Sequence, residues 1–286
     1  MELFRALGAL CEPPGPRTGT LAAAVGLDAP VPEEADHTEL FLFQLYPYAS
    51  VYLGPEGQLG GPARDRVAGF WRAVGVTPPA EPDHLAALLG LLAALDDTER
   101  AEPDPARRTL RRRARAALLS EHLRTWLPPY LARVEELGGR FYAAWARLLG
   151  SAIEEEAGRL VLAEQEPAHL RDVPALPDPR EAGGDAFLAG LLAPVQSGLL
   201  LTRADLARGA AELGVGLRAA ERSFVVRSLL AQDPRGTLAW LAGEARRQRE
   251  LYRGRPAGFW AERAGAAAAL LGDLEPAASA SSDRIT

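Results

Sequence analysis

Glu81-Pro82-Asp83-His84 is followed at once by eleven residues without a charge or a hydroxyl, Leu85 to Leu95. Pro79 and Pro82 hold the chain before Asp83 out of helical geometry, and Asp83 is placed to cap a helix through its carboxylate. Leu85, Leu88, Leu89, Leu92 and Leu95 recur at helical spacing, with alanine and glycine between them. Such a helix is apolar all round and has to be buried on most sides, so other helices must cover it. The run is too short to span a bilayer, which takes about 20 apolar residues. At its exposed end, Glu81, Asp83 and His84 form a polar patch on a hydrophobic scaffold. A functional patch fits these residues, and so does the plainer combination of a cap and a surface histidine.

The rest of the chain offers partners for that helix. Leu3, Leu7 and Leu10 share one helical face before Pro13 and Pro14, Thr18 opens a second helix that stops at Gly26, and Leu40, Phe41, Phe43 and Leu45 form a third apolar segment before Pro47. Pro62 starts an amphipathic helix with Val67, Phe70, Trp71 and Val74, closed by Gly75. A long helix is expected over 106–126, with Arg107, Arg108, Arg111, Arg112, Arg113 and Arg115 on a solvated face or against an acidic partner. Phe141, Tyr142, Trp145, Leu149 and Ile153 line the next helix. Residues 166–185 are rich in proline and glycine and read as a linker. Beyond them, Thr202 with Asp205 predicts a capping box, and Asp233-Pro234 opens another helix. Leucine and alanine dominate while valine, isoleucine and threonine are sparse, which favours an all-α fold.

The inventory excludes several chemistries. All 32 basic residues are arginine, so Schiff-base catalysis and a phosphate-loop lysine are ruled out. Gly54, Gly57, Gly60 and Gly61 therefore read as a turn. The net charge of −6 argues against broad nucleic-acid binding. The four histidines, at 37, 84, 122 and 169, lack metal-ligand spacing. Cys11 is alone, which fits a reducing compartment. No charged start leads into an apolar signal segment, so a cytoplasmic protein is expected.

Three blocks, taken in order, carry a family resemblance: Pro47-Tyr48-Ala49-Ser50-Val51-Tyr52-Leu53, the Glu81-Pro82-Asp83-His84 loop with its leucine helix, and Leu118…His122-Leu123…Trp126 followed by Phe141-Tyr142. Over about the first 165 residues the chain resembles the TorD/DmsD/NarJ family of redox-enzyme maturation chaperones. The family's acidic loop has one more residue between the glutamate and the Asp-His pair, and Tyr48 stands where the family has tryptophan. The resemblance implies an all-α, TorD-like helical bundle over 1–165; composition and helical spacing add the linker 166–185, an additional C-terminal helical segment over 186–275 that is longer than the family's usual C-terminal part, and a disordered tail over 276–286. The resemblance also implies a cytoplasmic chaperone, not an enzyme, that binds the leader peptide or apo form of a molybdenum-containing oxidoreductase during cofactor insertion and before export. Its partners would be the apo-molybdoenzyme catalytic subunit and that peptide, with no nucleic acid, stable membrane insertion, metal or cofactor of its own, and a homodimer is compatible with this.

A twin-arginine leader presents guanidinium forks beside an apolar stretch, which call for carboxylates and a greasy groove. The residues expected to bind peptide are Tyr48, Ser50, Tyr52, Trp71, Glu81, Pro82, Asp83, His84, His122 and Trp126, with the two histidines tuning affinity. The rival readings are a helical DNA-binding protein built on Asp205–Gly214, an assembly scaffold, and a metal-dependent hydrolase around Asp83, His84 and His122.

Overall fold

The computed structural model describes residues 2–55, 57–162, 166–218 and 220–282, with side chains as far as residue 274. Among them the fold is all-α; the extended pairing present is a single antiparallel bridge between Tyr48 and His84. The chain divides into two compact units, one of Met1–Gly54 with Leu59–Arg171, the other of Pro55–Gln58 with Asp172–Thr286. No described helix is long and apolar enough to cross a membrane.

The first unit contains α1 (Glu2–Ala9), α2 (Thr18–Ala24), α3 (Glu34–His37), α4 (Ala49–Leu53), α5 (Gly61–Ala73), α6 (Leu85–Ala101), α7 (Pro105–Ala117), α8 (Leu127–Leu137), α9 (Gly139–Arg159) and α10 (Ala168–Arg171). The leucine run forms the first half of α6, with Leu85, Leu88, Leu89 and Leu92 completely buried. Helix α1 packs against it closely because Gly8 presents no side chain, and a Cβ there would stand 3.3 Å from the Ala86 carbonyl oxygen. Helix α9 is tied to α1 by the indole N–H of Trp145, which donates to the Leu7 carbonyl at 2.9 Å.

The helix expected over 106–126 is interrupted. Past Ala117 the backbone widens over Leu118–Leu123, and the Arg124 N–H reaches the Leu119 carbonyl five residues back. The wider turn carries one more residue per turn, and Leu118, Leu119, His122 and Leu123 all turn inward. A second widened turn, Thr38–Gln44, follows α3 and buries Leu40 and Phe41.

The arginines of α7 also depart from a simple solvated face. Arg115 is buried among Asp96, Glu99 and Glu156. Arg111 pairs with Glu102 at 2.9 Å, and Arg112 approaches Glu99 at 3.7 Å. The acidic second half of α6 is thus the partner of this basic stripe, a match made across two helices and invisible in the local spacing of either.

The second unit contains α11 (Pro179–Ala182), α12 (Gly184–Leu192), α13 (Pro194–Ser197), α14 (Arg203–Leu213), α15 (Arg222–Gln232), α16 (Pro234–Leu251) and α17 (Gly258–Ser282). Of the tail expected to be disordered, residues 283–286 lie outside the described residues. The unit has its own core, in which Leu191, Val226, Leu229, Leu241, Ala245 and Leu271 are completely buried. The Thr202–Asp205 capping box forms as the spacing predicts.

A polar network threads this core. Gln248 accepts from the Leu200 N–H at 2.9 Å and from the Tyr252 hydroxyl at 3.0 Å, and donates to Glu244 at 2.8 Å. Glu244 pairs with Arg208 at 2.7 Å and with Arg247 at 2.5 Å. Burial alone would raise the Glu244 carboxyl, but hydrogen bonds from Arg247, Gln248 and Arg208 outweigh it and hold the pKa at about 2. A carboxyl held below its unfolded value stabilises the fold above that value and loses the contribution as pH falls through the folded one. The window here runs from about 4.5 down to about 2. Glu244→Gln is expected to lose on the order of 3 kcal/mol at pH 7 and much less at pH 3. Urea unfolding of the full chain at both pH values, with amide exchange along α16, measures this.

Candidate functional site

The loop before α6 is held from three directions. Its backbone pairs with the stretch before α4: the Leu85 N–H donates to the Pro47 carbonyl at 2.8 Å, and the Ala49 N–H to the Asp83 carbonyl at 3.1 Å. The Asp83 carboxylate accepts from the Ser50 N–H at 3.0 Å. The Trp71 indole N–H donates to the Pro82 carbonyl at 3.1 Å. Ser50 Oγ accepts from the Gly60 N–H at 3.1 Å, fastening the start of α5 to α4.

These bonds overturn the cap expected from the sequence. His84, not Asp83, caps α6: its Nδ1 accepts from the Ala86 N–H at 3.2 Å. Asp83, 2% exposed, caps the neighbouring helix α4 instead. An N-terminal helix end has four unpaired N–H groups and takes whichever acceptor the tertiary structure brings, and the Tyr48–His84 bridge brings Asp83 to α4.

What remains at the surface is an acidic corner. Glu81 is exposed and accepts the Tyr48 hydroxyl at 2.8 Å. The Tyr48 ring meets the His84 ring edge-on, with centroids 4.7 Å apart. His84 Nδ1 also lies 3.4 Å from the carboxylate of Glu12, which is half exposed. Burial lowers the His84 pKa, opposed by Glu12, Glu81 and Asp83. The neutral ring uses Nδ1 as the α6 cap, which places its proton on Nε2; a second proton on Nδ1 would face Glu12. Burial, then the hydrogen bond to Glu81, pushes the Tyr48 phenol above its ordinary value. Glu12 has no counterpart among the residues picked out from the sequence. It arrives from the end of α1, 72 positions before His84, and no spacing could have announced it.

Tyr48, Ser50, Trp71, Glu81, Pro82, Asp83 and His84 are thus brought together. Tyr52 and Trp126 form a second group, stacked at 5.4 Å with ring planes 6° apart, and both are buried. The Tyr52 hydroxyl donates to the Tyr46 carbonyl at 2.8 Å. His122 belongs to a third group, its ring 4.8 Å from that of Phe70 on α5. Burial, then His169 and Arg66, push the His122 imidazole down to about 4. Among the described residues no group of three or more histidine, cysteine, aspartate or glutamate side chains is placed to hold a metal ion.

Residues 13–132, a span that contains all ten candidate residues, match the nitrate reductase delta subunit family. Over 138 residues, 45% of the chain, the sequence is 33% identical to chaperone protein TorD from each of two strains of Vibrio cholerae serotype O1. The alignment spans 62% of the length of these relatives. No solved structure gives a significant match.

Proposed function

We propose that the chain is a cytoplasmic chaperone, not an enzyme, for the maturation of a molybdenum-containing oxidoreductase. It holds the leader peptide or another exposed segment of the apo catalytic subunit during cofactor insertion and before export. The likeness of residues 13–132 to the nitrate reductase delta subunit family and to TorD supports the chaperone class. One observation carries the site: Glu81, on a loop whose backbone is fixed to α4 and α5, and Glu12, from just past the end of α1, present exposed carboxylates beside Tyr48 and His84.

A guanidinium fork gains most from a carboxylate that is already oriented, because less side-chain entropy is lost on pairing. Glu81, steadied by Tyr48, is the direct partner for such a fork, with Glu12 as the second charge. Asp83 is a positioning residue: its carboxylate is spent on Ser50, and it acts by fixing the loop. Trp71 does the same through Pro82.

The test is a synthetic peptide with two adjacent arginines followed by an apolar stretch, titrated into the full chain by calorimetry. Glu12→Gln with Glu81→Gln is expected to weaken binding at least about tenfold, roughly 1.4 kcal/mol, with little change in stability, because both groups are exposed. Raising salt from about 0.1 to 1 M should weaken the wild-type complex by a similar amount. Equal affinity of the double variant and the wild type would remove the acidic corner from the site.

The DNA-binding reading is not favoured. Asp205 is buried inside the Thr202 capping box and pairs with Arg208, while residues 214–221 make a longer connection from α14 to α15 than the three- or four-residue turn of a helix-turn-helix.

A further inference from the structure

Among the described residues Arg66 on α5 has no counter-charge. Other inward arginines of the first unit meet carboxylates: Arg115 faces Asp96, Glu99 and Glu156, and Arg133 pairs with Glu136. Arg66 is partly buried, and among the described residues it makes no ion pair or hydrogen bond. Burial lowers its pKa, with no neighbouring acid to oppose the effect.

Phe70 lies one turn further along the same face of α5 and packs its ring 4.8 Å from that of His122. His122 is 3% exposed. Its Nδ1 is buried without a hydrogen-bond partner, and so is Nε2 of His169 on α10. Arg66 lies within electrostatic reach of both imidazoles, and His169 within reach of His122; no carboxylate is among the charges acting on either ring. Buried polar nitrogens are normally paired, and a desolvated cation without a partner is costly. Arg66, His122 and His169, joined by these electrostatic interactions and by the packing of Phe70 on His122, are donors or potential donors with no acid acting on them, a set complementary to an anion. A guanidinium fork with two ring N–H groups offers about four donors. That number suits a tetrahedral oxyanion better than a two-oxygen carboxylate. Arg66 and His169 both keep some exposure, which leaves an approach from solvent.

We propose that Arg66, His122 and His169 form a binding site for a phosphate-type oxyanion, either free or as the terminal group of a phosphate monoester. The site is separate from the acidic corner and of opposite charge preference.

The full chain is titrated with inorganic phosphate, and with acetate at matched ionic strength, while the ring resonances of the four histidines are followed by NMR. A saturable shift of His122 and His169 with phosphate but not acetate is expected, with His37 and His84 unmoved. Arg66→Gln is expected to weaken phosphate at least about tenfold while leaving the melting temperature without phosphate unchanged or higher, since it removes a partly buried charge that has no ion-pair partner among the described residues. His169→Gln gives a second variant that leaves the buried His122 in place, with the same expected loss of affinity. Glycerol phosphate forms the other arm: tighter binding than inorganic phosphate indicates an esterified ligand, and weaker binding indicates the free anion. No saturable shift with either up to about 10 mM, or equal binding by wild type and Arg66→Gln, overturns the site.

Discussion

Arg115→Met is expected to destabilise the chain by about 3–5 kcal/mol, the cost of removing one partner from a buried ion cluster. The guanidinium reaches Asp96, Glu99 at 3.4 Å and Glu156 at 3.2 Å, joining α7 to both α6 and α9. All three carboxylates are under 10% exposed. Once the arginine is gone, Asp96 retains Arg100 at 2.8 Å, Glu99 retains Arg112 at 3.7 Å and Glu156 retains Arg159 at 3.5 Å, each more exposed than Arg115. Methionine fills similar volume but leaves three negative charges crowded in a low-dielectric space. Urea unfolding monitored by circular dichroism measures the loss. Adding Asp96→Asn and Glu156→Gln should recover more than half of it, because the penalty lies in uncompensated charge rather than in lost packing. A loss below about 1 kcal/mol would mean that the cluster behaves as an exposed pair does.

What could be seen in advance follows from the range of each interaction. The leucine helix was legible because its signal is its own composition, and the Thr202–Asp205 box because both partners sit within one turn. Pro47 ending one segment before the short helix α4, and Gly75 closing α5 at a positive φ of 80°, are equally local. Arg115 was hidden for the opposite reason. In the sequence it is one of six arginines in a solvated-looking run, and only the folded chain sets it against acids from two other helices. The Asp83–His84 exchange of caps has the same origin. Both residues are good acceptors, and the choice between them rests on a backbone bridge to Tyr48, 36 positions earlier than His84. Aromatic composition also misleads about exposure. Tyr52 and Trp126 stand among the residues expected to bind peptide, whereas the structure spends both on a buried stack, and Phe43, expected in an apolar segment, stands 45% exposed.

Trp126→Ala carries the second large effect, an expected loss of about 3–5 kcal/mol. The indole is completely buried, stacked flat on Tyr52 and tilted against Tyr130 with centroids 5.2 Å apart, and its N–H donates to the His122 carbonyl at 2.9 Å. The alanine variant loses the transfer energy of the ring and leaves a cavity between α4 and α8, with the aromatic contacts contributing about 0.5–1.5 kcal/mol of the total. Trp126→Phe keeps a ring in the stack but drops the N–H, and should cost about 1–3 kcal/mol through the unpaired His122 carbonyl and reduced packing. The pair of variants separates two roles for this residue. Acting as core, Trp126 governs how firmly α4 is held, so the phenylalanine variant should lower stability while leaving twin-arginine peptide affinity within about twofold. Acting as a groove wall, it would do the reverse. The burial of the indole favours the first outcome, in which the aromatic block shapes the acidic corner from behind, by fixing the helix whose first N–H groups Asp83 caps.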